Sequence, residues 1–192
     1  MKIGLIVGST REGRVTERVA QWVKQTIATQ LPDAELTLLD LRDYALPFFE
    51  EAISPQYNPD RKPTGVVKEW LDALAVQDAV IVVTPEYNRT IPAVLKNALD
   101  YVAYELARKP IAIVAHGSAG GNQAISHLRG IAAGVLAVTV PAFVGVIGAG
   151  HVLDEKGVLS PEAAANPYGP AGALQRLLTD LEWYTNALAS AR

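Results

Sequence analysis

Between Val7 and Glu17 the chain reads Gly8-Ser9-Thr10-Arg11-Glu12-Gly13-Arg14-Val15-Thr16, glycines, hydroxyls and two arginines directly after a short apolar run. Glycines let a ligand approach the backbone closely, hydroxyls and amide N–H groups donate to oxyanions, and a helix starting here presents its positive end. Those are the requirements of a monophosphate site. Two better-known phosphate loops do not fit. A Walker A loop needs Lys and then Ser or Thr after its second glycine, whereas Arg14 and Val15 follow Gly13 and leave no lysine for a β- or γ-phosphate. A dinucleotide fingerprint needs glycine where Thr10 stands, so Asp40, placed like a ribose-binding acid, matches by coincidence.

Two further segments carry polar groups beside glycine or proline. The first is Thr84-Pro85-Glu86-Tyr87-Asn88-Arg89-Thr90-Ile91-Pro92, and the second His116-Gly117-Ser118-Ala119-Gly120-Gly121-Asn122. Ser118 in a strand-turn-helix setting raises the possibility of a hydrolase nucleophile. That motif needs glycine at the position of His116 and a chain order of Ser, acid, His, and no Asp or Glu lies between Ser118 and His127, nor any before His151. The three histidines, His116, His127 and His151, also lack the two-step helical spacing of a zinc site, which leaves them polar surface or loop roles.

The elements that must position these loops follow from periodicity. Continuous apolar runs at Ile3 to Val7, Leu36 to Leu39, Ala79 to Val83 and Ile111 to Ala115, with a less regular one from Leu136 to Ile147, predict strands covered on both faces, as in a parallel sheet. Between them, apolar residues recur at three- and four-residue steps: Val15, Val19, Trp22, Val23 and Ile27; Val67, Trp70, Leu71 and Leu74; Ile91, Val94, Leu95, Ala98, Leu99 and Val102; Ile125, Leu128, Ala132 and Val135; and Leu174, Leu177, Leu178, Leu181, Tyr184 and Leu188. Thr90 is the expected N-cap of the third helix, with Pro92 in its first turn. Alternating strands and helices joined by right-handed crossovers make a parallel sheet with helices on both faces. In such a sheet the ligand sits beyond the carboxyl ends of the strands, where all three polar segments fall. Residues 42–63 and 148–172 are too long for simple connections. Within them, Leu46-Pro47-Phe48-Phe49 is expected to pack on a neighbouring element or subunit, and Asp154-Glu155-Lys156-Gly157 to turn a small hairpin.

Bulk properties bound the rest. The 192 residues suit one domain, 1–192, and 49% hydrophobic against 19% charged residues is enough to fill a covered sheet. A net charge of -3 offers no basic field for a nucleic acid. Without cysteine there is no disulfide framework, thiolate metal site or thiol catalysis. No segment reaches the roughly 18 uninterrupted apolar residues needed to span a bilayer, and the apolar run after Met1-Lys2 is too short for a signal peptide. A soluble, cytoplasmic protein without membrane or nucleic-acid partner is expected.

Gly8-Ser9-Thr10-Arg11 after the first strand, Pro85-Glu86-Tyr87-Asn88 after the third, and the helix Pro92-Ala93-Val94-Leu95-Lys96-Asn97-Ala98-Leu99-Asp100 together resemble the signature GSxR, PEYN and PxxLKNAxD of the NADPH-dependent FMN reductase family. The resemblance covers most of the chain. It implies a flavodoxin-like three-layer α/β/α sandwich, with five parallel strands in the order 2-1-3-4-5 and FMN at the switch point. It implies further that Ser9, Arg11 and Thr16 hold the FMN phosphate, that Pro85, Glu86, Tyr87 and Asn88 border the flavin ring, and that Gly117, Ser118 and Gly121 belong to the glycine-rich loop at its polar edge. No side chain is expected to be catalytic, because the cofactor carries the chemistry. The implied activity passes hydride from NADPH or NADH to bound FMN and then to a flavin, quinone, azo compound or similar acceptor in a two-step exchange. A homodimer or homotetramer is implied, with Leu46 to Phe49 and the third helix as the candidate contact. The alternative is a non-enzymatic electron carrier like flavodoxin, against which the modest charge weighs. Arg14 and Val15 stand where many members have Ser and Asn, and Arg89 where smaller residues are common. Arg89 is expected either to meet a nucleotide phosphate or to face solvent or a subunit, and Lys96 and Asp100 to pair along their helix.

Overall fold

The computed structural model describes residues 1–191. Strand β1 (Lys2–Val7) leads through the first polar loop into α1 (Thr16–Gln30), and the crossover returns to β2 (Glu35–Asp40). A long connection with one 3-10 turn at Pro55–Tyr57 precedes α2 (Gly65–Ala75), β3 (Ala79–Pro85) and α3 (Ala93–Asp100). Then follow β4 (Pro110–Gly117), α4 (Asn122–Gly134), β5 (Val138–Ile147), two short helices α5 (Ala149–Val152) and α6 (Pro161–Ala165), and the long α7 (Pro170–Ala189). The five strands are all parallel, in the order β2-β1-β3-β4-β5. This is the expected flavodoxin-like arrangement.

Strict alternation along the central strands divides the apolar residues between two cores. Ile3, Leu5 and Val7 of β1, with Ile81 and Val83 of β3, meet Val19, Val23 and Ile27 of α1 and Leu174, Leu177, Leu178 and Leu181 of α7. Ile6, Val80 and Val82 face the other way, onto Trp70, Leu71 and Leu74 of α2, Leu95 and Leu99 of α3 and Leu128 of α4. In β3 all seven residues, Ala79 to Pro85, are buried, which is why its sequence shows no period of two.

Two expectations about these elements are corrected. β2 is not covered on both faces: it is an edge strand with only Leu39 buried, and Leu38 is 51% exposed. Thr90 does not cap α3, whose N-cap position is Pro92 and carries no side-chain cap. Thr90 is instead tied to Tyr87 by a pair of backbone hydrogen bonds, 2.9 and 3.0 Å, across a tight turn. Asn88 (φ 50°) and Arg89 (φ 70°) occupy its middle, both in the left-handed region that a type I′ turn demands.

The two long connections are less irregular than their composition suggests. Asn97 of α3 clips the Leu46 to Phe49 segment by accepting from the Phe49 N–H (2.8 Å) and donating to the Pro47 carbonyl (2.7 Å), and Phe49 meets the Tyr101 ring edge-on. Phe48 points outward, 83% exposed. At the other end Asp154 Oδ1 accepts from the N–H groups of Lys156 and Val158, and Leu153 bridges Leu159, so the predicted hairpin turn forms.

Candidate flavin site

All three polar loops emerge at the carboxyl ends of β1, β3 and β4. The floor is set by two close approaches: the Gly8 N–H donates to the Val83 carbonyl at 2.8 Å, and a Cβ on Gly8 would lie 2.9 Å from Leu95 Cδ2. Glycine is therefore required for β1 to turn away flush against β3. Ser9 follows, buried, its hydroxyl 2.9 Å from the Tyr87 hydroxyl of the opposite loop.

From Glu12 to Glu17 the backbone N–H groups donate to no protein acceptor among the described residues. They converge with the positive end of α1, the arrangement that favours an anion. The Arg11 side chain is exposed and makes no hydrogen bond or ion pair with the described residues. Thr16 lies buried beneath, its hydroxyl 2.9 Å from His116 Nε2 at the end of β4. Burial pushes the His116 imidazole down to about 4, so the ring is neutral at physiological pH and this polar floor adds no charge of its own.

The cavity above these groups has a volume of about 450 Å³ and is lined by residues 11–16, Tyr87, His116 and Gly117, with residues 148–151 as the far wall. That is within the size range of small-molecule sites. Of the remaining expected residues only Gly117 lines this cavity; Pro85, Glu86, Ser118 and Gly121 are outside its lining, and Asn88 borders a separate groove with Ile91 and Ile131. The Glu86 N–H donates to the His116 carbonyl (2.9 Å), while the Glu86 carboxylate turns away to accept from the N–H groups of Gln123 (2.9 Å) and Ala124 (3.4 Å). It caps α4, so any Glu86 contribution to a ligand falls to its backbone. Pro85 is buried at the end of β3, and Asn88 is exposed on the tight turn. A Cβ at Gly117 would come within 3.3 Å of Glu86 Cβ, and one at Gly121 (φ 76°) within 2.6 Å of Ala115 Cβ. Ser118 is exposed at the tip of its loop with no hydrogen bond among the described residues, and His116 is committed to Thr16. A hydrolase centred on Ser118 therefore lacks its base.

Sequence reasoning does not foresee the contacts of three residues: His116, expected in a surface or loop role; Arg14, read as charge in the phosphate loop and as a departure from the family pattern; and Asp40, read as a coincidental match to a ribose-binding acid. Arg14 is only 8% exposed and donates to both carboxylate oxygens of Asp40. The available signal was positional, because the ends of β1, β2 and β4 must share one edge of a parallel sheet and bring these residues to one place.

An open parallel sheet with an anion cradle after its first strand and a cavity at the switch point defines the flavodoxin-like α/β class of nucleotide-binding proteins. The sequence model of NADPH-dependent FMN reductases matches residues 1–152, and the chain belongs to that family. Among its curated relatives, an NAD(P)H-dependent FMN reductase of Saccharomyces cerevisiae is 35% identical over 143 residues, covering 70% of this chain and 75% of the relative. A quinone reductase of Pseudomonas putida is 32% identical over 133 residues, covering 64% of this chain and 66% of the relative. Among solved structures, the flavoenzyme NAD(P)H:(acceptor) oxidoreductase FerB of Paracoccus denitrificans superposes with a TM-score of 0.71 at 22% identity, over 96% of this chain and 97% of that one, a likeness of fold.

The residues present fit FMN. Its phosphate needs several N–H donors and a cation, supplied by residues 12–17 and the unpaired Arg11, and its ring needs a flat bed with backbone groups at the edge, supplied around Tyr87 and Gly117.

Proposed function

We propose that this chain, working as a single domain and as a cytoplasmic homodimer or homotetramer, is an FMN-dependent NAD(P)H oxidoreductase whose acceptor is a quinone or a similar small molecule. FMN, when bound, supplies the hydride-accepting and hydride-donating chemistry. Ser9, Arg11, Thr16 and the free N–H groups behind them hold the phosphate. Pro85, Glu86, Tyr87 and Asn88, the first two through backbone groups, border the ring on one side, and Gly117, Ser118 and Gly121 on the other. Tyr87 adds a second function, since its hydroxyl fixes the buried Ser9 Oγ and so couples the ring side of the site to the phosphate side. Neutral His116 orients Thr16 from below. None of these groups is required to move a proton.

The observation that carries this reading is the set of unbonded N–H groups from Glu12 to Glu17 beside an unpaired Arg11, in a chain of this family. The quinone acceptor rests on the name of the Pseudomonas putida relative. The oligomer rests on the exposed Phe48 and on the apolar groove of about 920 Å³ between α3 and α4, bordered by Ile91, Pro92 and Ile131. The test is the visible spectrum of the purified protein, supplemented with FMN where colourless, before and after anaerobic NADPH and NADH. Rapid bleaching by either nucleotide and recovery on adding quinone is expected. A bound flavin indifferent to both would overturn the reductase activity, and failure to bind FMN would overturn the whole assignment.

A further inference from the structure

The loop after β1 presents three successive carbonyls to two guanidiniums. Arg14 Nη1 donates to the Ser9 carbonyl, Arg42 Nε to that of Thr10 (3.4 Å) and Arg42 Nη2 to that of Arg11 (2.6 Å). Both arginines hang from one carboxylate. Arg14 Nη1 donates to Asp40 Oδ1 at 2.7 Å, Arg14 Nη2 donates to Oδ2, and the Arg42 backbone N–H donates to Oδ1 at 3.0 Å. Asp40 closes β2 and is in register with Val7, so the sheet itself fixes where this carboxylate stands.

A peptide unit is planar, with its C=O and the following N–H pointing in opposite directions. Holding the carbonyls of Ser9, Thr10 and Arg11 against the two guanidiniums therefore turns the N–H groups of Thr10, Arg11 and Glu12 away from them. Those of Thr10 and Glu12 donate to no protein acceptor among the described residues, and that of Arg11 reaches only Ser9 Oγ, at 3.4 Å. The loop is thus presented with its donors unspent.

We propose that Asp40, through Arg14 and Arg42, is a positioning residue that sets how tightly the site holds the phosphate of its flavin, by orienting the backbone of residues 9–12. The inference rests on the FMN reading above. It makes a counter-intuitive claim about sign. Asp40 is an anion next to an anion site, so simple Coulomb repulsion has its removal strengthen phosphate binding. Orientation of the N–H groups has its removal weaken it.

Asp40→Asn keeps the shape, and with it one acceptor for the Arg42 N–H, while giving up the charge that binds Arg14. The dissociation constants of FMN and of riboflavin, which lacks the phosphate, would be measured by flavin fluorescence for the wild type, Asp40→Asn, Arg14→Met, Arg14→Lys and Arg42→Ala. For Asp40→Asn and Arg14→Met the FMN constant is expected to rise about tenfold or more, the effect of losing one charge-assisted interaction, with riboflavin within about twofold of wild type. Arg14→Lys should fall between, because an ammonium cannot bridge Ser9 and both carboxylate oxygens in one plane. Equal weakening of both flavins would reduce Asp40 to general support of the fold and overturn the proposal, as would tighter FMN binding. Should Asp40→Asn fail to fold, Arg42→Ala decides, since exposed Arg42 can be removed without opening the core: a rise confined to FMN supports the proposal, and no change refutes it. A wild type that binds neither flavin would instead overturn the FMN reading.

Discussion

Arg11 and His116 mark the two ways a side chain serves this cradle. Arg11 is exposed and unpaired, and Arg11→Ala is expected to raise the FMN dissociation constant about ten- to hundredfold in titrations of the apoprotein, the range for a hydrogen bond to a charged group. His116 is buried neutral and carries a stability cost in acid. Its folded value, about 4, lies below the unfolded value near 6.5, so between those limits the unfolded chain binds a proton that the folded chain refuses. Stability therefore falls as pH drops from about 6.5 to about 4, by up to about 3 kcal/mol, and His116→Gln should flatten that slope in urea titrations at successive pH values. Asp40 acts in a lower window. Burial raises its carboxyl, but hydrogen bonds from Arg14 and Arg42 and their charges outweigh this and hold it below the ordinary range, so its contribution is present above about 3.9 and is lost as pH falls through the folded value. At this scale the sequence was readable where chemistry lay in contiguous motifs, as for Ser9, Arg11 and Tyr87. It was silent on Thr16–His116 and Arg14–Asp40, 100 and 26 residues apart, because neither pair has a spacing that declares it.

Elements were more legible than their ends. Every strand and each long helix follows from its apolar run, because burial on both faces of a central strand and on one stripe of a helix leaves different periods. β2 misled, since Leu36 to Leu39 is apolar enough for a covered strand yet sits at an edge. Thr90 misled because a hydroxyl before a helical stripe is the usual cap, and here the Thr90 backbone closes the turn with Tyr87 while its hydroxyl lies 2.9 Å from His127 Nδ1. That turn holds Arg89 in a conformation suited to glycine. Arg89→Gly is expected to stabilise the protein by about 0.5 to 1 kcal/mol in urea denaturation by relieving left-handed strain, the reverse of what glycine does in a helix. Gly121→Ala should act oppositely, lowering stability by at least about 2 kcal/mol, because a positive φ and a clash with Ala115 coincide at the start of α4.

For the molecule as a whole, the surface invites a test of self-association. Phe48, Tyr57 and Tyr104 are exposed, and the Tyr104 hydroxyl donates to the Gln56 carbonyl, which ties the long connection to the residues after α3. Sedimentation is expected to show a dimer or tetramer, and Phe48→Asp to move it toward monomer at micromolar concentration without changing the far-ultraviolet circular dichroism. The parallel α/β fold was legible from apolar periodicity and the cofactor from motifs that resemble those of the family, whereas the assembly was not: whether Phe48 meets solvent or a subunit depends on a surface with no periodicity in sequence.

Gly157, at the hairpin turn, presses so closely on α1 that a Cβ there would lie 2.7 Å from the Trp22 backbone nitrogen and 2.8 Å from the Arg18 carbonyl. Leu174, Leu177, Leu178 and Leu181 of α7 complete the core beneath the same helix. The helix whose first turn forms the proposed phosphate cradle is thus clamped by residues that lie beyond the family match at 1–152. The family-matched portion is consequently not a transplantable cassette: a chimera joined at residue 152 would carry every residue expected to touch FMN and still lose the clasp that keeps α1 seated, so any recombination of this chain with a relative must exchange the tail together with the first helix.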